Sequence, residues 1–246
     1  MATKIAFRTL RSSSAPLAPS TRPFISIPGL EAQSLSACRI LPYKSTELYK
    51  LISDVDSYSS FLPYCQDSRV TKWSIPDKDG KRWPSEADLK VGWGGFEETY
   101  TSKLFCVPGS IVEALGGEAR TTIPRQDVEH HAATYNSPVT SNAIFTSLST
   151  RWTVKPFHYK PPTGQPQTDK TVRPPVEQTE VNLNIDFQFS NPIYAALSKA
   201  VAPKVAGIMI EAFEARAKQI LGGPGLTIDD RGSRRDWLTD DKKLGL

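Results

Sequence analysis

The chain has 246 residues, 39% of them hydrophobic and 23% charged, with 20 prolines, three cysteines and a formal net charge of +4. Its length admits one or two domains, and the clustering of prolines leaves a single foldable domain of roughly 180 residues. The excess charge sits in residues 1–30; beyond them 26 basic residues balance 26 acidic ones, which excludes the basic working surface that a nucleic-acid binder needs.

Residues 1–30 contain Lys4, Arg8, Arg11 and Arg22, no Asp or Glu, and many serines and threonines. That is the composition of a mitochondrial transit peptide, and Lys4, Arg8 and Arg11 share one helical face. No apolar run near the start is long enough for a secretory signal, and none elsewhere approaches the ~20 residues of a membrane span. Cys38, Cys65 and Cys106 are widely spaced and form no CxxC, so neither a disulfide framework nor a zinc site is indicated.

A strand is predicted over Leu35 to Leu41. After it Ser45 is placed as a helix N-cap, followed by the stripe Leu48, Leu51, Ile52 and Val55 and a further helical turn that Pro63 ends. Further strands are predicted at Arg69 to Ser74, at Ala87 to Trp93, through Phe96 to Cys106, at Ile111 to Leu115 and at Leu148 to Val154. The clearest is Glu180 to Phe189, where Val181, Leu183, Ile185, Phe187 and Phe189 alternate with polar residues. Strands with one oily and one wet face belong to an antiparallel sheet. Segments 116–142, with His130 and His131, and 158–176, rich in proline, read as surface loops inserted in the domain.

From Pro192 to Leu221 apolar residues recur every three or four positions, the pattern of a long amphipathic helix. Pro203 predicts a kink near Ala200, and Gly222 to Pro224 a stop. The domain is thus expected over 34–222, with a disordered tail over 223–246. About seven strands span roughly 34 Å, whereas a helix covers only ~10–12 Å. The sheet must curl around the helix, and the space between them is either filled by large side chains or left as an apolar cavity; physical reasoning alone leaves both open.

The order of strand, helix pair, curled sheet and long C-terminal helix resembles the helix-grip (START-like) fold, an α+β architecture shared with polyketide cyclase-like proteins. Within it, the run Leu41-Pro42-Tyr43, Leu48 to Tyr58 and Phe61-Leu62-Pro63-Tyr64-Cys65 resembles the opening signature of the mitochondrial coenzyme Q-binding protein family. Ala87 to Gly92, Glu98 to Ser102, Phe187 to Phe189 and Ala212 to Ala217 resemble later segments of that family, and the likeness extends from about Ser36 to Leu221. Members usually carry a Gly-Pro-Phe-type segment where this chain has Ser141 to Thr146.

The resemblance implies a non-enzymatic carrier that binds ubiquinone, a polyprenyl quinone, as a ligand. It implies a protein on the matrix side of the mitochondrial inner membrane, peripheral to it, that supports respiration and quinone biosynthesis and touches the complexes that do so. Leu62, Pro63 and Tyr64 fall where members of the fold open their cavity and are the expected gate. Leu89, Val91, Trp152, Leu183, Phe187, Ile208 and Phe213 are the expected cavity wall. No catalytic residue, metal or cofactor is expected, Glu98 being the one acid weighed as a general acid or base. Two other readings stay open: a ribosome-associated protein like the bacterial toxin-like branch of the family, and a cyclase-like enzyme of the same fold.

Overall fold

The structure is a computed structural model that describes residues 30–93, 95–137, 144–157 and 177–222. The expected leader (all but Leu30), the end of the 116–142 segment, the 158–176 segment and the 223–246 tail lie outside the described residues.

Seven strands form one antiparallel sheet: β1 (Gln33–Leu41), β2 (Cys65–Trp73), β3 (Pro84–Trp93), β4 (Phe96–Val107), β5 (Ile111–Gly117), β6 (Phe145–Phe157) and β7 (Gln178–Phe189). Their order across the sheet is β1-β7-β6-β5-β4-β3-β2, which leaves β1 and β2 as its edges. Every neighbouring pair is antiparallel, because apart from the β1–β7 pairing each strand lies against its neighbour in sequence. The predicted alternation in β7 is realised residue by residue: Val181, Leu183, Ile185, Phe187 and Phe189 are buried while Asn184 and Asp186 are exposed.

Helix α1 (Ser45–Ser53) and a 3-10 turn (Val55–Ser60) follow β1. The cap of α1 is Lys44 rather than Ser45, and no side chain bonds the first turn; burial of Leu48, Tyr49 and Ile52 holds this helix in place. At the other end of the chain come α3 (Pro192–Ser198), a 3-10 turn (Ala202–Lys204) and α4 (Val205–Leu221). The expected kink is a 58° bend between α3 and the rest, at the break where Pro203 cannot donate a helical hydrogen bond. Asn191 caps α3 by accepting from the N–H groups of Ile193 and Tyr194.

The C-terminal half of α4 is pinned. Phe213 and Ala217 are buried against the sheet, in line with Ala206 and Ile210 of the preceding turns, and the Phe213 ring lies 5.3 Å from that of Trp152. Arg39 on β1 pairs with Glu211 at 3.5 Å and Glu214 at 3.3 Å, and the Tyr43 hydroxyl donates to the Gly222 carbonyl at 2.7 Å. Exposed ion pairs of this kind contribute little, so the apolar stripe does most of the holding.

The 116–142 segment departs from the surface loop expected of it. Arg125–His131 forms a 3-10 turn and Ala132–Tyr135 a short helix, α2, and together they cover the outer face of the sheet. Phe105 and Leu115, outward-facing residues of β4 and β5, pack there with Ile123 and Val128 as a second small core. Gly117 makes the turn into this layer at φ +60°, where a Cβ would meet the Thr146 carbonyl oxygen at 2.3 Å.

His130 and His131, expected in a solvated loop, are buried, His131 to 1% exposure. They cap the backbone of Cys106, which carries them inward. Its N–H donates to His131 Nε2 at 3.1 Å and its carbonyl lies 2.9 Å from His130 Nε2. His131 therefore serves as an acceptor and must be neutral. Burial, aided by neighbouring His130, lowers its pKa from 6.5 to about 3. On the same face Glu113, 1% exposed, is held by Arg151, which donates from Nε at 2.9 Å and from Nη2, and Nη2 also reaches Thr122 at 2.7 Å.

The unfolded chain binds a proton at His131 below pH 6.5 while the folded one resists it down to about pH 3. The stability of the neutral imidazole is therefore complete above pH 6.5 and is lost as pH falls through that window, by about 1.4 kcal/mol per unit. In urea unfolding measured from pH 7 to pH 3.5, His131→Gln is expected to remove one proton's worth of that slope. An unchanged slope would show that His131 is not the group being protonated.

Candidate functional site

Between the concave face of the sheet and the N-terminal half of α4 lie two adjoining chambers of about 170 Å³ and about 70 Å³. The larger opens beside Tyr64 and runs beneath Ser198, Val201, Ala202 and Val205. Its wall is made by Leu89, Val91, Phe145, Ile185, Phe187 and Phe189. The smaller lies deeper, against Val55, Tyr58, Leu104, Val112, Ala114 and Trp152. Leu62, Leu89, Tyr100, Leu148, Thr150 and Met209 line both, so the two meet at this collar.

The hollow has a local cause. Where β4, β5 and β6 pass beneath α4 the inward residues are small: Ser102, Ala114 and Thr150, with Ala114 and Thr150 opposite one another in register. Above them α4 offers the narrow Val205 and the unbranched Met209, and the bend at Pro203 turns α3 off the helix axis.

Of the ten residues expected at the site, Leu62, Pro63, Tyr64, Leu89, Val91 and Phe187 line the large chamber and Trp152 the small one. Leu183, Ile208 and Phe213 line neither. Leu183 is fully buried two positions before Ile185, in register with Trp152 and Ala37, where the pinned half of α4 closes on the sheet. Phe213 is core for the same reason, packed on Trp152. Ile208 stands two residues, about 200° of helix rotation, from the sheet-facing Ala206 and Ile210, and is half-buried on the flank of α4.

The expected gate has a distinctive backbone. Tyr64 has φ 65°, a left-handed conformation that costs a bulky residue about 1–2 kcal/mol. It is held by the Gly92 N–H, which donates to the Tyr64 carbonyl at 2.9 Å, and its side chain remains 39% exposed. Across the mouth the Tyr194 hydroxyl of α3 donates to Glu98 of β4 at 3.0 Å, and this bond raises the Tyr194 pKa. Glu98, the one acid weighed for catalysis, is therefore engaged in tying α3 to the sheet rim. Ile193 and Leu197 on the outer side of α3 are exposed.

Sequence reasoning missed Tyr100, Ser102, Phe145, Thr150, Met209 and the α3–α4 corner. Phe145 lies in the segment where the chain departs from the family pattern, yet its ring meets Tyr100 at 5.8 Å and Phe189 at 5.4 Å and completes the wall.

A curved antiparallel sheet gripping a C-terminal helix over a cavity defines a helix-grip protein of the START-like class. Solved structures agree at the level of fold. A START superfamily protein from Mycobacterium smegmatis matches with TM-score 0.50 at 13% identity, over 76% of this chain and 98% of its own. The Zhui aromatase/cyclase from Streptomyces sp. R1128 matches with TM-score 0.51 at 12% identity, over 79% and 99%.

The sequence profile of the family described as polyketide cyclase / dehydrase and lipid transport matches residues 41–214. The mitochondrial coenzyme Q-binding protein of Schizosaccharomyces pombe is 30% identical over 182 residues, 74% of this chain and 85% of the relative. Its counterpart in Dictyostelium discoideum is 26% identical over 74% and 67%. The ribosome association toxin RatA of Pseudomonas aeruginosa is 25% identical over 74% and 94%. The chain belongs to the coenzyme Q-binding protein family within the START-like, polyketide cyclase-related superfamily.

Truncating Phe213 to Ala is expected to cost the ~3–5 kcal/mol of a packed core phenylalanine, whereas Met209→Ala, facing open space, is expected to cost less than the ~2–5 kcal/mol of a packed methionine. Denaturant unfolding of both variants measures this, and equal large losses would mean that the collar is packed.

Proposed function

We propose that this protein binds ubiquinone in the two-chamber cavity and carries it without chemical change in mitochondria. The observation that supports the reading most is the chemistry of the wall: among the described residues an apolar lining interrupted by hydroxyls and the Cys65 thiol, in a chain whose relatives are named coenzyme Q-binding proteins. Burial raises the Cys65 pKa to about 11, so it is a neutral thiol. At about 0.8 kcal/mol per CH₂, an isoprenoid chain cannot cross water without such a surface. An apolar cavity of about 150 Å³ is enough for a single aromatic ring. The 170 Å³ chamber therefore holds a ring or a short length of tail, and a long tail leaves through the mouth.

Lipids extracted from the purified protein and identified by mass spectrometry test this directly; ubiquinone at a stoichiometric level is the expected result. Leu148→Trp, which fills the collar, is expected to abolish quinone retention while the protein remains folded. Recovery of no quinone, together with co-sedimentation with ribosomes, would instead favour the reading suggested by the RatA relative.

The exit of the tail sets where the carrier works. Ile193 is 64% exposed and Leu197 38%, both on α3 beside the mouth, with Lys199 and Lys204 exposed nearby. Apolar residues flanked by lysines suit the surface of an anionic bilayer. Among the described residues no single helix is long and apolar enough to span a membrane. We place the protein at the matrix face of the inner membrane, where it serves respiratory and quinone-biosynthetic complexes. In isolated mitochondria it should resist external protease and be released from membranes by alkaline carbonate. The double substitution Ile193→Ser, Leu197→Ser should shift it to the soluble fraction. Unaltered membrane association of that variant would remove α3 as the contact.

A further inference from the structure

The deep chamber carries three hydroxyls that the fold does not use. Tyr100 and Ser102 project inward from β4 and Thr150 from β6, and all three line the 70 Å³ space. Every other inward tyrosine that caps this region has a backbone partner: Tyr58 donates to the Ile52 carbonyl at 2.5 Å and Tyr49 to the Ile111 carbonyl at 3.3 Å. Tyr100, Ser102 and Thr150 make no hydrogen bond to any described residue. Ser102 is 1% exposed. Their oxygens open onto the cavity rather than being sealed in the wall, and native folds keep such groups where a ligand or water completes them.

Resting on the reading of the protein as a quinone carrier, we propose that this triad is the head-group site: the quinone ring enters first and seats at the collar where the two chambers meet, its carbonyl oxygens accept from Tyr100 and Thr150, which line both chambers, and from Ser102 on the inner side, and the isoprenoid tail leads out toward Tyr64. The tail sets the direction: too long for a 170 Å³ chamber, it must leave by the mouth beside Tyr64, which puts the ring at the inner end. Beyond the collar the outer chamber is walled by Val91, Phe187 and Phe189, which suit a hydrocarbon. Deep burial keeps the Tyr100 phenol protonated. Hydroxyls both donate and accept, so the same three groups serve a quinone, which only accepts, and a quinol, which also donates. The site holds the ring without preferring a redox state.

The test uses a ubiquinone analogue with two isoprene units and a control in which a methylated benzene ring replaces the quinone, so that only the oxygens differ. Tyr100→Phe and Thr150→Val are each expected to weaken the quinone probe by about 5-fold, the loss of one hydrogen bond, and together with Ser102→Ala by more than 25-fold. The control should bind all variants as it binds the wild type, and thermal stability should be unchanged or raised, since each substitution removes an unsatisfied group. The reduced probe should bind as the oxidised one does. The quinone probe should also quench the emission lost in Trp152→Phe, because Trp152 lines the inner chamber. Quinone affinity within twofold of wild type in the triple variant, or an equal loss for the control, overturns the head-group assignment alone. Failure of the wild type to bind the quinone probe overturns the carrier reading and this site with it.

Discussion

One geometric constraint governs this molecule: a seven-stranded sheet is too wide for one helix to cover. The sheet answers by curling, and α4 answers by closing on it at one end only. Where Phe213 and Ala217 meet the strands the interior is packed solid; where Val205 and Met209 meet Ser102, Ala114 and Thr150 it is hollow. The cavity is what remains when small residues are placed on both sides of a gap that the backbone cannot close. Packed core and hollow thus meet along a single helix.

The same constraint explains which parts could be read in advance. Alternation of side chains reveals which face of a strand is buried, and β7 shows it plainly. It says nothing about position along the strand. Leu183 and Phe187 have the same parity and the same chemistry, yet one lies under the closed end of α4 and the other under the open end. Phe213 and Met209 are likewise one helical turn apart on one stripe. Inward hydroxyls such as Thr150 disturb the alternation and pass for noise, although they mark the spot where the interior is unfinished. The likeness to a known family pointed to Leu62, Pro63 and Tyr64, which line the large chamber, because a run of residues carried it, and could say nothing about Phe145, which falls where the chain departs from the pattern.

His130 and His131 illustrate a different limit. Their segment has no periodicity because it answers to the sheet rather than to itself. Beyond the start of β3 at Pro84, the backbone of Cys106 has lost its neighbouring strand, and the two imidazoles supply an acceptor and a donor in its place. Local sequence cannot announce a partner twenty-five positions away. The outer layer they anchor, with Glu113 and Arg151 beneath it, covers the sheet opposite the cavity and stiffens the strands that form its floor.

The attachment of α4 has a mechanical meaning. Phe213 on Trp152, Arg39 on two glutamates and Tyr43 on the last carbonyl clamp the far end, while α3 is tied to the sheet rim by the Tyr194–Glu98 hydrogen bond. A rod clamped hard at one end and held by a light tie at the other yields first at the lighter fastening. Thermal agitation therefore acts with least effect where the fold is held together and with greatest effect at the bend beside Pro203. On the proposed carrier function, a guest admitted there would spend almost none of the stability invested at the other end, and opening would not begin unfolding.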